Sequence, residues 1–404
     1  ETMVNVAVLG YGTVGSGVVE VISTNNDSIN KRAGNEIRIK YVLDLREFPG
    51  DPVEKVLVHD FETIVNDPEV DIVVEVMGGV EPAHTFCRRA LEAGKSVCTS
   101  NKAMVAEWGN ELIDLARSKN INFLFEASCG GGIPIIRALN ASLTADEIDE
   151  ITGILNGTTN YMLYKMSREG SAFDDVLKEA QAMGYAERDP SADVDGYDAC
   201  RKIAILSSLA YGKFLDYRDI HTEGIRNITA EDMAYAKELG KAIKLLGASR
   251  KIGGEFYALV APFLVGPENP LYAVNDVFNG IFVHGNMLGD AMFYGSGAGK
   301  LPTASAVVAD VVDEAKHPHC TIMTNWSSKP LNLMSYDAIP GRFFVRVKDS
   351  AEAQVKELFG DVEALRVPGI DGEFGFITET LTQGAFAEKT AGLNGYISMI
   401  RVKD

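Results

Sequence analysis

A glycine-rich turn near the N-terminus constrains the fold of this chain more than any other feature. Gly10–Gly15 has the sequence GYGTVG, follows an apolar run over Val4–Leu9 and precedes a helical pattern that continues to Ile22. In a strand–turn–helix unit, the first glycine permits a tight turn, the second lets backbone approach a pyrophosphate, and the third lets the helix pack on the strand. The phosphate lies at a helix N-terminus, where N–H groups and the dipole favour an anion. Glycine turns also occur without a ligand, but this position in a βαβ unit favours dinucleotide binding. The predicted contacts are Gly10, Gly12, Thr13, Val14 and Gly15.

Short β-branched runs alternate with helical patterns over the first 125 residues. This alternation is typical of a parallel sheet covered by helices on both faces. After the first strand, further strands are predicted at Ile37–Leu43, Asp71–Val76, Ser96–Thr99 and Asn122–Phe125, with a helix over Glu81–Ala93 and a long loop over Thr24–Glu36. The predicted fold class is therefore α/β, with a Rossmann-type doubly wound domain over residues 3–128.

Two charged residues follow the second strand. Asp44 closes that strand and is expected to accept hydrogen bonds from the adenine ribose hydroxyls of a dinucleotide. Arg46 is placed to meet a 2′-phosphate instead, so the pair favours NAD weakly and leaves NADP open. The alternative is a solvated pair of loop charges.

The composition excludes several classes of partner. Lys plus Arg total 38 against 57 Asp plus Glu, a net charge of −19, and no basic run exceeds two residues, so we expect no nucleic-acid partner. No apolar stretch approaches the roughly 18 residues of a membrane span, so we expect no membrane partner and a cytoplasmic location. The five cysteines are scattered, which predicts reduced thiols.

The pattern changes after Phe125, where the glycines of 130–132 and Pro134 mark the start of a second domain, predicted over residues 129–301. A strand is predicted over Glu150–Leu155, and it runs into NGTTN at Asn156–Asn160. Such small polar residues usually form a turn. The functional alternative is a hydrogen-bonding floor beside a cofactor or substrate.

Two lysines have settings that suggest chemistry. Lys202 lies four residues after Asp198 in a helical pattern that begins at Tyr197, so the two share a face, and that face continues as an apolar stripe. Solvated pairs at this spacing are common, but a lysine directed to a core face among carboxylates suits a proton donor or an orienting cation. Lys102 follows the fourth strand, at the carboxyl edge of the sheet where ligands bind, and the helix dipole disfavours a cation there without a function.

The stretch from Ala180 to Lys202 resembles the signature of the homoserine dehydrogenase family. The matching positions are Ala180, Gly184, Tyr185, Ala186, Asp189, Pro190, Asp193, Val194, Gly196, Asp198 and Lys202. The resemblance extends to GYGTVG, to SNKA around Lys102, to NGTTN, and to GSGAGKLPTASAVVAD at Gly295–Asp310. It implies NAD(P)H-dependent interconversion of L-aspartate 4-semialdehyde and L-homoserine, in threonine, methionine and isoleucine biosynthesis, by a homodimer or homotetramer. It also implies that residues 129–301 form an α+β domain for catalysis, substrate binding and dimerisation.

The resemblance also implies roles for individual residues. Lys202 would be the acid–base group, assisted by Lys102, while Glu187 and Asp198 would bind the substrate's amino group. The expected substrate site further includes Asp193, Gly157 and Thr158. The expected cofactor contacts further include Ser100, Asn101, Lys102 and Gly299. A monovalent cation, often sodium, would lie near Glu126, Cys129 and Gly131. Backbone carbonyls of a glycine-rich segment suit such a hard cation.

The last part of the chain has a pattern of its own. A helix is predicted over Pro302–Val312, returning to the nucleotide domain over residues of about 302–320. From residue 341 to 404 the predicted order is βαββαβ, a ferredoxin-like arrangement that resembles an ACT domain, with strands at Phe343–Val347, Val362–Val367, Gly375–Thr380 and Tyr396–Val402 and helices at Ala351–Phe359 and Thr382–Ala391.

The ACT-like segment departs from its relatives at one point. Family members carry Pro-Gly after an Asp, but here Asp349 is followed by Ser350 and Ala351. A structural or oligomer-forming role is therefore as plausible as amino-acid sensing. For the whole chain, the alternatives are another NAD(P)-linked hydroxy-acid oxidoreductase and a non-catalytic amino-acid sensor.

Overall fold

The computed structural model describes residues 2–404 and divides the chain into two units. The first unit contains the N-terminal part to Glu147, Ala204–Tyr217 and Gly295–Leu331, and the second contains Ile148–Ile203, Arg218–Tyr294 and Asn332–Asp404. Within residues 2–404, no helix has both the length and the apolar character needed to span a bilayer.

The strands and helices are numbered in chain order. The strands are β1 Met3–Leu9, β2 Glu36–Leu43, β3 Leu57–Val58, β4 Ile72–Glu75, β5 Ser96–Thr99, β6 Phe123–Leu124, β7 Ile148–Ile154, β8 Gly212–Phe214, β9 His221–Thr222, β10 Ala242–Ile252, β11 Glu255–Val265, β12 Phe278–Gly285, β13 Gly289–Ser296, β14 Trp326–Pro330, β15 Pro340–Lys348, β16 Glu373–Ile377, β17 Leu381–Thr382 and β18 Tyr396–Lys403. The α-helices are α1 Thr13–Thr24, α2 Asn26–Ala33, α3 Phe61–Val65, α4 Ala83–Glu92, α5 Lys102–Ser118, α6 Ile135–Arg137, α7 Gly157–Glu169, α8 Phe173–Ala182, α9 Ser191–Val194, α10 Tyr197–Tyr211, α11 Ala230–Glu238, α12 Lys300–Lys316, α13 Glu352–Phe359 and α14 Gln383–Ala391.

The first unit contains a six-stranded parallel sheet with the order β3-β2-β1-β4-β5-β6. Its central strands are apolar because both faces are covered: Val6, Val8 and Val73 are fully buried. Helix α12 returns to this unit and packs against α1, where a Cβ on Gly17 would lie 2.9 Å from the carbonyl oxygen of Lys300. The predicted Rossmann-type fold and the predicted late helix are both confirmed.

Two segments predicted to be irregular are helical. The predicted loop over Thr24–Glu36 is wrong, because Asn26–Ala33 forms α2. The Asn30 side chain connects this helix to β2 by two hydrogen bonds. Its amide donates to Asn26 Oδ1 at 2.9 Å, and its Oδ1 accepts from the Ile37 N–H at 2.9 Å. The Asn26–Asn30 pair, four residues apart, stabilises a short helix whose apolar pattern is weak.

The NGTTN segment is the start of a helix, so the predicted turn is wrong there too. Asn156 is the N-cap of α7, and its Oδ1 accepts from the Thr159 N–H at 2.8 Å. Asparagine is among the preferred N-cap residues, and the polar residues that suggested a turn therefore form the first turn of a helix.

The second unit contains a mixed ten-stranded sheet with the path β13-β12-β7-β10-β11-β18-β15-β16. Strands β10 and β11 form a hairpin in full register from Ile252–Glu255 to Ala242–Val265. Its two-residue turn, Gly253 and Gly254, has positive φ at both positions, which matches the turn twist that hairpins prefer.

The C-terminal βαββαβ arrangement is confirmed and continues this sheet. Strand β18 pairs antiparallel with β15 and parallel with β11. The module has its own apolar core, built around Phe343, Val345, Phe374 and Phe376.

One predicted strand of this module is wrong. Val362–Val367 contributes only an isolated bridge between Leu365 and Gly375, and Pro368 and Gly369 end the segment directly after it.

Candidate active site

The glycine turn opens onto a cavity of about 620 Å³ in the first unit, lined in part by Gly10, Gly12, Asp44, Arg46 and Met77. Gly10 has a φ of +99°, which residues with a Cβ rarely adopt. A Cβ on Gly15 would lie 1.9 Å from the Gly10 carbonyl oxygen. A larger residue at either position would therefore disrupt this tight turn. A Cβ on Gly12 would meet no atom within 4 Å, which leaves open space at the N-terminus of α1. The arrangement suits an anionic group approaching the backbone at Gly12.

The two predicted discriminators of the cofactor lie on the wall of this cavity and contact each other. The Arg46 guanidinium donates to both carboxylate oxygens of Asp44, at 3.0 Å each, and the Tyr11 N–H donates to Asp44 Oδ2 at 2.9 Å. Hydrogen bonding from the Arg46 side chain holds the pKa of Asp44 well below its usual range. The carboxylate is therefore ionised and available as an acceptor at the rim.

The carboxyl edge of the parallel sheet positions Ser100, Asn101 and Lys102. Asn101 is the N-cap of α5: its Oδ1 accepts from the Met104 N–H at 3.1 Å, and its amide donates to the Gly79 carbonyl. Lys102 is the first residue of α5 and is half-buried. Lys102 thus lies at the carboxyl edge of the sheet, where ligands of open α/β folds bind.

Sequence reasoning missed Glu75, which organises this edge. It ends β4, is fully buried, and its carboxylate accepts from Thr99 Oγ1 and from the Met77 N–H, each at 2.8 Å. Burial raises the pKa of this carboxyl above its ordinary value. A carboxyl group at the end of an otherwise apolar strand was the available signal, because such a group is buried only where hydrogen-bond donors or opposite charges compensate for the lost solvent.

In the second unit, Lys202 and Asp198 lie on the buried face of α10. Lys202 Nζ donates to the Leu155 carbonyl oxygen at 2.7 Å and is 2.8 Å from Asp198 Oδ2. Lys202 is 8% exposed and Asp198 is 5% exposed. A buried ammonium held by a carboxylate and a carbonyl is a charged, oriented donor.

Asn156, the first residue of the NGTTN motif, connects two carboxylates to the start of a helix; the sequence predicted a hydrogen-bonding floor for the motif but no role for this residue by itself. Its amide donates to Asp193 Oδ1 at 2.7 Å and to Asp198 Oδ2 at 2.9 Å, while its Oδ1 caps α7. One side chain therefore fixes two carboxylates and the start of a helix. The predicted contact residue Asp193 is brought to Asp198 in this way.

The other predicted substrate residues have different settings. A Cβ on Gly157 would lie 2.7 Å from the Val277 carbonyl oxygen, so this glycine is required by close packing. Thr158 Oγ1 donates to the Tyr185 carbonyl at 2.7 Å. Glu187 lies on an exposed loop, where its main-chain carbonyl accepts from the Gln181 amide at 3.0 Å.

The residues predicted to surround a monovalent cation lie in the first unit. The Glu126 carboxylate accepts from the Ile136 N–H at 2.7 Å, and burial raises the pKa of Glu126 to about 7. Cys129 is fully buried, and a Cβ on Gly131 would lie 2.5 Å from the Gly297 carbonyl carbon. From residue 2 to residue 404, no three His, Cys, Asp or Glu side chains are grouped as metal ligands.

The glycine loop near residue 299 begins α12. Gly299 is the N-cap of this helix with a φ of +117°, which a residue with a Cβ rarely adopts. The Gly132 N–H donates to the Ser296 carbonyl at 3.1 Å, so the loop before α12 contacts the glycine cluster that follows β6.

A nucleotide-binding Rossmann sheet, accompanied by a buried lysine–carboxylate pair, defines a dinucleotide-dependent oxidoreductase. A model of the homoserine dehydrogenase NAD binding domain matches residues 10–126, and a homoserine dehydrogenase model matches residues 134–312. The homoserine dehydrogenase of Neisseria gonorrhoeae is 46% identical over 316 residues, covering 78% of this chain and 72% of that protein. That of Bacillus subtilis is 41% identical over 350 residues, covering 85% of this chain and 81% of that protein.

Solved structures give the same assignment. A homoserine dehydrogenase from Thiobacillus denitrificans has a TM-score of 0.91 and 36% identity, covering 100% of this chain and 99% of that one. A hyperthermophilic archaeal homoserine dehydrogenase mutant in complex with NADPH has a TM-score of 0.65 and 29% identity, covering 78% of this chain and 98% of that one. The chain belongs to the homoserine dehydrogenase family and is an NAD(P)-dependent oxidoreductase with that activity.

Proposed function

We propose that Lys202 is the acid–base group in the interconversion of L-aspartate 4-semialdehyde and L-homoserine. The observation that carries this proposal is the buried Lys202 ammonium, held between the Leu155 carbonyl and the Asp198 carboxylate. Reduction of an aldehyde develops negative charge on its oxygen, which an oriented ammonium stabilises and then protonates. In the reverse direction the same nitrogen, as the neutral amine, accepts the hydroxyl proton of homoserine and returns to the ammonium form.

The carboxylates near Lys202 have a second task, because both substrates carry an ammonium group of their own. Asp198 and Asp193 are aligned by the Asn156 amide, and this alignment supports their role as acceptors for the substrate ammonium. Glu187 joins them from its exposed loop. Gly157 and Thr158 form the adjoining floor of the substrate site.

The first unit binds the dinucleotide. A bound nicotinamide supplies the hydride for reduction and accepts it in oxidation. The backbone at Gly12 and Thr13 holds the pyrophosphate, Asp44 accepts from the adenine ribose, and Ser100, Asn101 and Gly299 complete the cofactor contacts. Lys102 assists the substrate or its proton transfer from the carboxyl edge of the sheet. Because Asp44 is ionised and already binds Arg46, NAD is preferred to NADP.

Two further proposals concern assembly and ions. Strand β13 ends the mixed sheet and exposes Met292 and Tyr294, at 37% and 54%, which supports pairing of copies into a homodimer or homotetramer. Light scattering gives the subunit number, and a monomer would contradict this proposal.

A monovalent cation binds near Glu126, Cys129 and Gly131. We therefore expect lower activity when sodium is replaced by choline.

The central experiment is homoserine oxidation measured with NAD and NADP in parallel, with and without threonine. We expect turnover of homoserine and little turnover of lactate, malate or serine under the same conditions. Faster oxidation of another hydroxy acid would overturn the substrate assignment. Inhibition by threonine would assign a sensing role to the C-terminal module, and its absence would favour the structural one.

A further inference from the structure

A small, charged cavity lies in the second unit where β18 joins β11. It has a volume of about 90 Å³, which is room for about three water molecules. Its wall is partly apolar, with Leu259, Phe263 and Val402, and partly ionic. The cavity is separate from the Lys202 site: Lys202, Asp198 and Asn156 are not among its lining residues.

The ionic part of the wall is mainly cationic, in a chain whose net charge is −19. The lining contains four cationic side chains against two acidic ones: Arg250, Arg342, Arg401 and Lys403 against Glu150 and Asp404. Glu223 contacts Arg401 and adds a third acid. A concentration of positive charge in a low-dielectric cavity attracts an anion.

Arg401 is the central group because it is 3% exposed and incompletely bonded. Its Nη1 donates to Glu223, and its Nη2 donates to the Tyr336 hydroxyl at 2.7 Å and to Gln383 Oε1 at 3.1 Å. Its Nε is a buried donor with no hydrogen-bond partner among residues 2–404. An unsatisfied donor on a buried cation is costly, and an acceptor in the cavity would remove that cost.

The other cationic side chains of the cavity form ion pairs with acidic residues, and an anion in the cavity can contact them as well. Lys403 Nζ donates to Glu150 Oε1 at 2.7 Å, and Arg342 Nη1 is 2.7 Å from Asp404 Oδ1. Arg250 Nε is 3.9 Å from Glu150 Oε2, beyond hydrogen-bond distance. Arg250 and Arg342 are partly exposed, so they form the entrance, while Arg401 forms the buried end.

We propose that this cavity binds a small oxyanion, a phosphate or carboxylate group. The anion accepts from Arg401 Nε and from the guanidinium groups at the entrance. Because Arg401 and Lys403 both belong to β18, the bound anion also stabilises the attachment of the C-terminal module to β11.

Calorimetric titration of the full chain with inorganic phosphate and with malonate tests the proposal. The chain is first saturated with NADH and homoserine, which are both reduced and cannot react with each other, so that anions do not enter those sites. We expect saturable binding of at least one anion, with phosphate the tighter ligand for a phosphoryl group and malonate for a carboxylate. The double variant R250Q/R342Q should weaken that binding about tenfold or more.

The matched control is Arg366→Gln, an exposed arginine of the same unit that pairs with Asp349 outside the cavity. It should bind the anion as the wild type does. Hydrogen exchange gives a second readout, since bound anion should slow exchange of the β18 amides in the wild type and not in R250Q/R342Q. Absence of saturable binding, or equal affinity in the wild type and the double variant, would overturn the proposal.

Discussion

The Lys202 ammonium and the Asp198 carboxylate lie 2.8 Å apart, one turn from each other on α10, and both are buried. Burial of a charged pair is costly unless further hydrogen bonds satisfy it. Here the Leu155 carbonyl accepts from the lysine, and the Asn156 amide donates to the carboxylate. This network keeps both charges at fixed positions, as acid–base chemistry on a small polar substrate requires.

Replacement of Lys202 by methionine should lower kcat for homoserine oxidation by roughly 10² to 10⁴, the usual contribution of a positioned acid–base group. The KM for the dinucleotide should stay near normal, because Lys202 does not line the nucleotide cavity. Steady-state kinetics checks both, and the exposed Lys178→Met is a control that should retain full activity. An unchanged kcat in Lys202→Met would remove this lysine from the mechanism.

Asp44→Ser should shift cofactor preference from NAD toward NADP. The substitution removes an acceptor for the ribose hydroxyls and releases Arg46, whose guanidinium can then meet a 2′-phosphate. Charge-assisted hydrogen bonds predict a change of roughly ten- to a hundredfold in the ratio of kcat/KM for the two cofactors. Asp27→Ser, an exposed position on α2, should leave the ratio unchanged. If Asp44→Ser also left it unchanged, Asp44 would have no part in cofactor choice.

Replacement by alanine should have different effects at Gly17 in α1 and at its N-cap Gly12: the first should lower stability, and the second should weaken dinucleotide binding. Gly17→Ala places a Cβ 2.9 Å from the Lys300 carbonyl oxygen and 3.0 Å from Ala304 Cβ, so overpacking should cost about 1–3 kcal/mol of unfolding free energy. Gly12→Ala meets open space in the protein and should leave stability intact, but its methyl group occupies the approach of the pyrophosphate. Thermal unfolding and the KM for NAD(P) measure the two effects. Equal destabilisation by both would contradict this assignment.

The parts of the site that were predictable from the sequence depend on local geometry. The glycine turn needs only six consecutive residues, and the shared face of Lys202 and Asp198 follows from the period of one helix. The same holds for Lys102, whose position after β5 places it at the carboxyl edge of the sheet.

The parts that were not predictable depend on contacts between distant segments. Asn156 reaches Asp193 and Asp198 across 37 and 42 residues, and no local pattern reports such a distance. Glu75 accepts from Thr99, which lies on the neighbouring strand. The error over Val362–Val367 has a similar origin, because an apolar alternation predicts a strand only where a partner strand is available to pair with it.

Lys244 of β10 is a buried lysine, with only 2% of its surface exposed. Its Nζ donates to the Val274 carbonyl and to Asn275 Oδ1. Burial lowers the pKa of Lys244 to about 8 from its ordinary 10.5. Between these pH values the unfolded chain binds the proton more than the folded chain does, so this residue makes stability rise with pH. Below pH 8 both states are protonated, and the cost of burying the charge is largest.

Lys244→Met removes this dependence. The unfolding free energy of the wild type, relative to that of the variant, should therefore rise by about 3 kcal/mol between pH 8 and pH 10.5. Denaturant titrations of both proteins at several pH values measure the difference, in which the other titrating groups cancel. Leu246→Met on the same strand is fully buried and has no proton to lose, so its difference from the wild type should be independent of pH. If the difference in unfolding free energy between the wild type and Lys244→Met were also independent of pH, Lys244 would have its ordinary pKa in the folded chain. Its two hydrogen-bond acceptors would then compensate fully for the lost solvent.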